Sequence, residues 1–202
     1  MESVMFWIVL GFLSGSIPFS YWLGCLLLKT DIRRYGDGNP GATNVFRAGS
    51  WPVGLLVGLL DILKGYLPVL LARSHDISGW GLVPVAIAPV LGHAFSPFLG
   101  FHGGKALAAT WGVWLALIGP LVFPVYAAFT LPMLALQVEH AWAAFAGMFS
   151  LLGYTLFLDR SRWLIAIAVL NLMTVMWTHR KELLRRFQLR PWASQLLSRR
   201  EV

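Results

Sequence analysis

The chain is poor in the residues that covalent stapling and most metal chemistry require. A single cysteine, Cys25, stands in an apolar run, so an internal disulfide and cysteine-pair metal motifs are both excluded. No HExxH occurs, which removes the common zinc-hydrolase signature. Charged residues make up only 12% of the 202, about half the share found in ordinary globular domains. The first segment, MESVMFWIVLGFLSG, has neither a basic start nor a small-residue cleavage site, so it is expected to remain as a helix. There is no internal repeat and no pair of similarly broken helices of the kind that transporters use.

What is present is oil. Hydrophobic residues are 57% of the chain and mean hydropathy is +0.68, which places it among integral membrane proteins. Apolar runs lie at about 4–28, 51–72, 80–101, 106–137, 141–158 and 162–178. The fourth is too long for one ordinary span and carries Gly119-Pro120 and Pro124 near its middle, so it is expected to form a hairpin of two short helices. The expected fold is therefore an all-α polytopic membrane protein of seven transmembrane helices, organised as a single domain over 1–202. On that count Lys29, Arg33, Arg34, Arg47, Lys105, Arg180, Lys181, Arg185, Arg186, Arg190, Arg199 and Arg200 share one face. The other face has only Arg73, Arg160 and Arg162, and Lys64 lies within a span. This imbalance predicts an outside N-terminus and a cytoplasmic C-terminus, with cytoplasmic loops at about 29–50, 102–105 and 138–140 and a basic tail at 179–202. In that tail Leu183, Leu184 and Phe187 have helical spacing among arginines before Pro191, which predicts an interfacial helix near anionic lipid headgroups. The net charge of +7 is thus explained by the membrane, and nucleic acid is not expected as a partner.

Three polar pieces meet on the predicted inner face. The first, RYGDGNPGATNVFRAGS at 34–50, contains the letters of a dinucleotide fingerprint in GDGNPG. That reading fails, because the loop follows a membrane span rather than a strand and Pro40 lacks an amide. Gly36, Gly38 and Gly41 permit close backbone approach to a ligand, while Asn39, Thr43, Asn44 and Arg47 supply donors. The alternative is a re-entrant turn that satisfies itself at membrane depth. The second piece, Gly103-Gly104-Lys105, places exposed amides and a cation at a helix start, which suits an anion; the alternative is a snorkelling interfacial lysine. The third is His179, Arg180 and Glu182 at the end of the last span, where the histidine is either a base, acid or phosphate donor, or a topological anchor. Within the second span Asp61 and Lys64, three residues apart, are read as a buried ion pair supporting the polar loop, with direct substrate contact as the alternative. His93 is read as a buried hydrogen-bonding residue rather than a ligand.

Two chemistries are disfavoured directly. No histidine is followed five residues later by aspartate, as soluble acyltransferases require, and Asp37-Gly38 lacks the later aspartates of a metal-dependent phosphatidyl transferase. The motifs SGSIPFSYWLG at 14–24, DGNPGATNVFRAG at 37–49, DILKG at 61–65, GHAFSPFLGFHGGK at 92–105 and THR at 178–180 occur in the order seen in a known family. The chain resembles the bacterial glycerol-3-phosphate acyltransferases that use acyl phosphate, the PlsY type, over nearly its whole length.

The resemblance implies a multi-pass enzyme of the cell inner membrane, with its active site facing the cytoplasm and no metal or other cofactor. It implies acyl transfer from acyl phosphate to the sn-1 hydroxyl of glycerol 3-phosphate, giving lysophosphatidic acid and phosphate. The partners implied are these two substrates, membrane lipids and an upstream enzyme that forms acyl phosphate. By position, Arg47 and Lys105 would hold phosphate, Asn39, Thr43, Asn44 and the loop and turn backbone at Gly38, Gly41, Gly103 and Gly104 would orient substrate, and His179 would contact the acceptor near the reacting carbonyl. The family usually has serine at the position of Asp37, glycine at Ala106 and asparagine at Glu182. Asp37 would either pair with Arg47 or act as a base, Glu182 would sit where an anionic substrate binds, and the methyl of Ala106 would restrict a turn that needs positive φ. The rival readings are a paralogue that acylates another polar acceptor, and a non-catalytic scaffold or anion carrier of the same fold.

Overall fold

The computed structural model describes residues 2–198, and Arg199 and Arg200 of the basic tail lie outside them. Among the described residues the regular structure is helical, and the chain divides into two compact units, one ending at Pro120 and one beginning at Leu121. The apolar helical stretches Val4–Leu27, Trp51–Ser74, Gly79–Leu99, Leu107–Leu136 and His140–Asp159 are long enough to cross a membrane, and Arg162–Thr178 is apolar but shorter. Large side chains such as Phe6, Leu59, Phe129 and Met173 point outward uncovered. That pattern suits a lipid solvent, in which an apolar exterior carries no penalty.

In the first unit, α1 (Glu2–Ser16) and α2 (Phe19–Leu27) are two parts of one apolar stretch interrupted at Ile17-Pro18. Proline has no amide to continue the ladder, so the helix stops there. After a long connection over residues 28–41, with a 3-10 turn at Ile32–Arg34, comes α3 (Ala42–Arg47), then α4 (Trp51–Ser74), whose start is capped by the Ser50 hydroxyl accepting from the Val53 amide at 3.4 Å. The unit is completed by α5 (Leu82–Ala94) and α6 (Leu107–Ile118).

Helices in lipid gain nothing from hiding apolar surface, so they associate where small residues let backbones touch. The α1–α5 crossing has Gly15 on the backbone of Pro89 and Gly92 on the carbonyl of Phe12. The α4–α6 crossing has Gly65 on the backbone of Ala109 and Gly112 on the carbonyl of Ile62. The Arg73 guanidinium donates to the carbonyls of Ala116 and Leu117, which caps the end of α6 with positive charge. The polar loop is anchored from beneath by Ile32, Val45 and Val57, all fully buried, with Leu23, Leu28, Ala42 and Val53 around them.

The chain breaks at Gly119, whose φ of 63° and ψ of −154° an L-residue does not adopt easily. The second unit then contains α7 (Val122–Leu136), α8 (His140–Tyr154) with a π-helical turn at Thr155–Asp159, α9 (Arg162–Thr178), α10 (Arg180–Leu183) and α11 (Pro191–Ser198). Its α7–α8 contact is stitched by hydroxyl donors: Tyr126 to Ala144 O at 3.3 Å, Thr130 to Ala143 O at 3.3 Å, and Ser150 to Val125 O.

The interfacial helix expected through Phe187 is not formed. The helix ends at Leu183, and the next stretch pairs with the α7–α8 turn: Val138 N donates to Gln188 O at 3.0 Å and Arg190 N to Leu136 O at 2.8 Å. Arg185 reaches Glu139 at 3.3 Å, and the Phe187 ring lies 5.5 Å from that of Trp142. Pro191 opens α11 instead of interrupting a helix, since its missing amide is unneeded at a first helical position.

Substitution Gly65→Ala drives a methyl into the Ala109 backbone and is expected to cost about 1–3 kcal/mol. Gly153→Ala meets open space and is expected to be neutral or to stabilise by up to about 1 kcal/mol. Thermal unfolding of the two proteins in the same detergent checks both.

Candidate functional site

The polar loop is organised around Asn44, which is almost wholly buried in α3. Its amide nitrogen donates to Asp37 Oδ1 at 3.0 Å and to Asn39 O at 2.9 Å, and its Oδ1 accepts from Arg47 Nη1 at 3.1 Å. One side chain thereby locks the DGN turn to the helix that carries the arginine. Gly36, at φ 56°, is required twice over, because a Cβ there would also strike the Arg47 guanidinium. Asp37 closes the turn by accepting from the Asn39 amide at 3.2 Å. Upstream, Arg33 binds Asp31 at 2.8 Å and lies over the Tyr21 ring at 4.5 Å, and its hydrogen bonds hold the Asp31 carboxyl below the usual carboxylate range.

Lys105 completes the group by donating to Asp37 Oδ2 at 2.6 Å across 68 residues of sequence. The partner of Asp37 is thus Lys105, not Arg47, because Asn44 stands between the carboxylate and the guanidinium. Partial burial works against ionisation of Asp37. The Lys105 hydrogen bond, the Asn39 amide, the lysine charge and Asn44 outweigh it and bring the carboxyl down to about 2.

The amides of Gly103 and Gly104, expected to face an anion, donate instead to Ala94 O at 3.1 Å and His93 O at 2.9 Å. They seat the turn on the end of α5. Neither position has room for a side chain, since a Cβ would meet His93 O at 103 and the His93 ring at 104. Glycine here lets the turn close against α5 immediately before Lys105. Ala106 follows with φ 61°, a left-handed residue that ends the turn and starts α6.

Beneath these two segments lies a buried polar cluster. Lys64 Nζ is 2.8 Å from Asp61 Oδ1 and donates to Ile17 O at 2.8 Å, and both charged side chains are only 4% exposed. His93 Nδ1 is 3.9 Å from the same carboxylate oxygen. Ser96 donates to Ser16 O at 2.5 Å, Ser14 to Lys64 O at 3.0 Å, and Ser20 to Pro40 O at 2.6 Å. Sequence reasoning assigned no role to Ser20 or Ser96. For Ser96 the available signal was Pro18 within an apolar run, which leaves carbonyls outside the helical ladder that nearby donors take; nothing local pointed to Ser20, whose acceptor is Pro40 O in the distant loop.

The first unit therefore brings together Asp37, Asn39, Asn44, Arg47 and Lys105. Thr43 lies on the exposed side of α3, Gly38 takes positive φ in the turn, and Gly41 precedes α3 in extended backbone. His179 and Glu182 belong to the second unit. His179 is buried, with Nδ1 2.9 Å from Val175 O and 3.2 Å from the Thr178 hydroxyl. A carbonyl only accepts, so the neutral ring carries its proton on Nδ1 and its lone pair on Nε2. Among the described residues no three His, Cys, Asp or Glu side chains come together.

These features define an all-helical integral membrane protein with an anion-pairing loop against its helices. The chain belongs to the glycerol-3-phosphate acyltransferase family, whose model matches residues 5–188. It is 37% identical over 192 residues to a glycerol-3-phosphate acyltransferase of Thermus thermophilus, covering 92% of each chain. It is 38% identical over 186 residues to that of Leptospira borgpetersenii, covering 87% of this chain and 84% of the relative. The fold matches the crystal structure of PlsY, an integral membrane glycerol 3-phosphate acyltransferase, in its glycerol 3-phosphate form. The TM-score is 0.80 at 30% identity, over 96% of this chain and 98% of that one. A lysophosphatidic acid form of PlsY matches with a TM-score of 0.78 at 31% identity, over 90% of each chain.

Two outcomes are expected from the site. A depressed carboxyl pKa adds stability above the ordinary value of 3.8 and loses it as pH falls through about 2. Infrared titration should accordingly show the Asp37 carboxylate band surviving to about pH 2, and Lys105→Met should move its loss to higher pH. Replacing Ala106 by glycine relieves a left-handed alanine and should stabilise the protein by about 1 kcal/mol, read as a raised Tm.

Proposed function

We propose that the chain transfers an acyl group from acyl phosphate to the sn-1 hydroxyl of glycerol 3-phosphate, forming lysophosphatidic acid and phosphate. The observation that carries this reading is the 2.6 Å contact of Lys105 with a carboxylate, on a loop where Asn44 also aligns Arg47. A phosphate brings more negative charge than one carboxylate and competes for the same cation. Lys105 then serves as a point charge and Arg47 as a bidentate donor, while Asn39 and Thr43 orient the substrate; Asn44 and the amides of Gly38 and Gly41, which donate to Tyr35 O at 3.1 Å and Asn39 O at 2.9 Å, hold the loop in the shape that presents them. The resemblance assigns His179 to the acceptor, near the reacting carbonyl, and Glu182 to the same substrate.

The hydroxyl oxygen attacks the acyl carbonyl carbon, the bond from that carbon to the bridging phosphate oxygen breaks, and phosphate leaves. A general base works best with a pKa near the working pH. While Lys105 holds it, Asp37 at about 2 is far too weak. The hydroxyl proton passes instead to the departing phosphate, and Asp37 acts as the partner that Lys105 exchanges for substrate. Because acyl phosphate is already activated, positioning and fixed charge supply the catalysis.

The proposal includes one catalytic domain of seven crossings in the inner membrane. The N-terminus is outside, and the polar loop, the 102–105 turn and the C-terminus face the cytoplasm. The 12-residue α6 spans about 18 Å at the helical rise, short of the roughly 30 Å hydrocarbon thickness. That length supports two short crossings in place of one long span, with the break at Gly119. An upstream enzyme supplies acyl phosphate.

The test is protein in lipid nanodiscs given acyl phosphate and glycerol 3-phosphate, with lysophosphatidic acid followed by mass spectrometry. The parent should make product and Lys105→Ala should lose about a hundredfold or more in kcat/KM, comparable to removal of a charge-stabilising donor. Full activity in folded Lys105→Ala would sink the proposed phosphate site. Competition among other polar acceptors in the same assay checks the acceptor's identity.

A further inference from the structure

The Asp61–Lys64 pair touches neither Asp37, Asn44, Arg47 nor Lys105, yet both halves of that group are registered on it. On one side, Lys64 Nζ holds Ile17 O at the break between α1 and α2 at 2.8 Å. Two residues into α2, Ser20 donates to Pro40 O at 2.6 Å, within the DGNPG turn that carries Asp37. On the other side, the Asp61 carboxylate faces His93, whose carbonyl accepts from Gly104 and whose ring leaves that glycine no room for a Cβ. Lys105 is the next residue.

Between the two branches lies a cavity of about 10 Å³, lined by Ser16, Ser20, Pro40, Lys64, His93 and Gly104 among others. Its size admits about one water molecule, so the segments have almost no slack against the cluster. A packed interior transmits displacement instead of absorbing it.

We infer that Asp61 and Lys64 are positioning residues for acyl transfer: they set the separation between the loop bearing Asp37 and Arg47 and the turn bearing Lys105. The inference rests on the functional reading above. Ile17 O already accepts from the Phe19 amide at 3.1 Å, and Lys64 adds a second donor that a hydrophobic pair would not offer.

The test compares the parent with Asp61→Asn/Lys64→Met and Asp61→Asn/Lys64→Gln in nanodiscs. The first double variant removes both charges and the donor to Ile17; the second removes the charges but keeps an amide donor. Neither leaves an orphan ion. The methionine variant is expected to keep helix content and Tm near the parent's and to lose about a hundredfold in kcat/KM for glycerol 3-phosphate, the effect of an ångström-scale misplacement. The glutamine variant should recover most of that loss.

Parental kcat and KM in the folded methionine variant would overturn the inference. So would equal losses in both variants that follow only the unfolded fraction. Should the methionine variant not fold, Ser20→Ala decides the matter, since it cuts only the link to Pro40. It is expected to raise KM several-fold at unchanged Tm, and an unchanged KM refutes the positioning chain. Calorimetric binding of glycerol 3-phosphate to the same samples separates the two readings. Absence of product from every protein, the parent included, ends the acyl-transfer reading. Weaker binding by the methionine variant than by the parent still supports positioning, and equal binding refutes it.

Discussion

A backbone carbonyl at membrane depth must find a donor within the protein, and the first unit is arranged around two at the end of α1 that lie outside the helical ladder. Pro18 stops α1 and leaves Ile17 and Ser16 with carbonyls that the helical ladder no longer serves. Ile17 O accepts from the Phe19 amide at 3.1 Å and from Lys64, and Ser16 O accepts from Ser96. A lysine buried for this purpose needs a counter-ion, and Asp61, one turn earlier on α4, supplies it. Breaking such a pair from one side would strand a buried charge at a cost of about 3–5 kcal/mol. The helix break, the ion pair and the meeting of α1, α4 and α5 are one solution to a single hydrogen-bonding problem.

The polar loop solves a different problem, that of holding positive charge ready for phosphate without letting it collapse onto the nearest anion. Asn44 keeps Arg47 away from Asp37, and Asp37 is given to Lys105. Both members of the Lys105 contact are partly solvent-accessible, so water and salt screen it and an exchange of partners stays within reach. The aspartate behaves as a tethered anion. Under the proposed function its carboxylate gives way when a phosphate arrives and leaves Lys105 to the substrate.

Part of this was legible in the chain itself. The i, i+3 spacing of two charges inside an apolar run allows little but a paired, buried arrangement, and Gly119-Pro120 in a 30-residue stretch marks a break. The polar loop declared itself by contrast with its surroundings. Other assignments changed. Gly103-Gly104 suits both an anion nest and a close-packed turn, and only the position of the α5 carbonyls selects the turn. Arginines spaced among Leu183, Leu184 and Phe187 suit a helix, but pairing of residues 188 and 190 with the α7–α8 turn satisfies their backbone better.

The sequence by itself determined the membrane class, the break at Gly119-Pro120 and the family, because each rests on local chemistry: apolar length, a missing amide, an ordered set of motifs. Tertiary structure alone decided which carboxylate meets Lys105, which carbonyls use the glycine amides, and what the Lys64 ammonium holds besides Asp61. Those are contacts between residues 47 to 68 positions apart or between neighbouring helix ends. Their partners depend on helix crossings at which four glycines admit a neighbouring backbone, and no local pattern encodes where a crossing will lie.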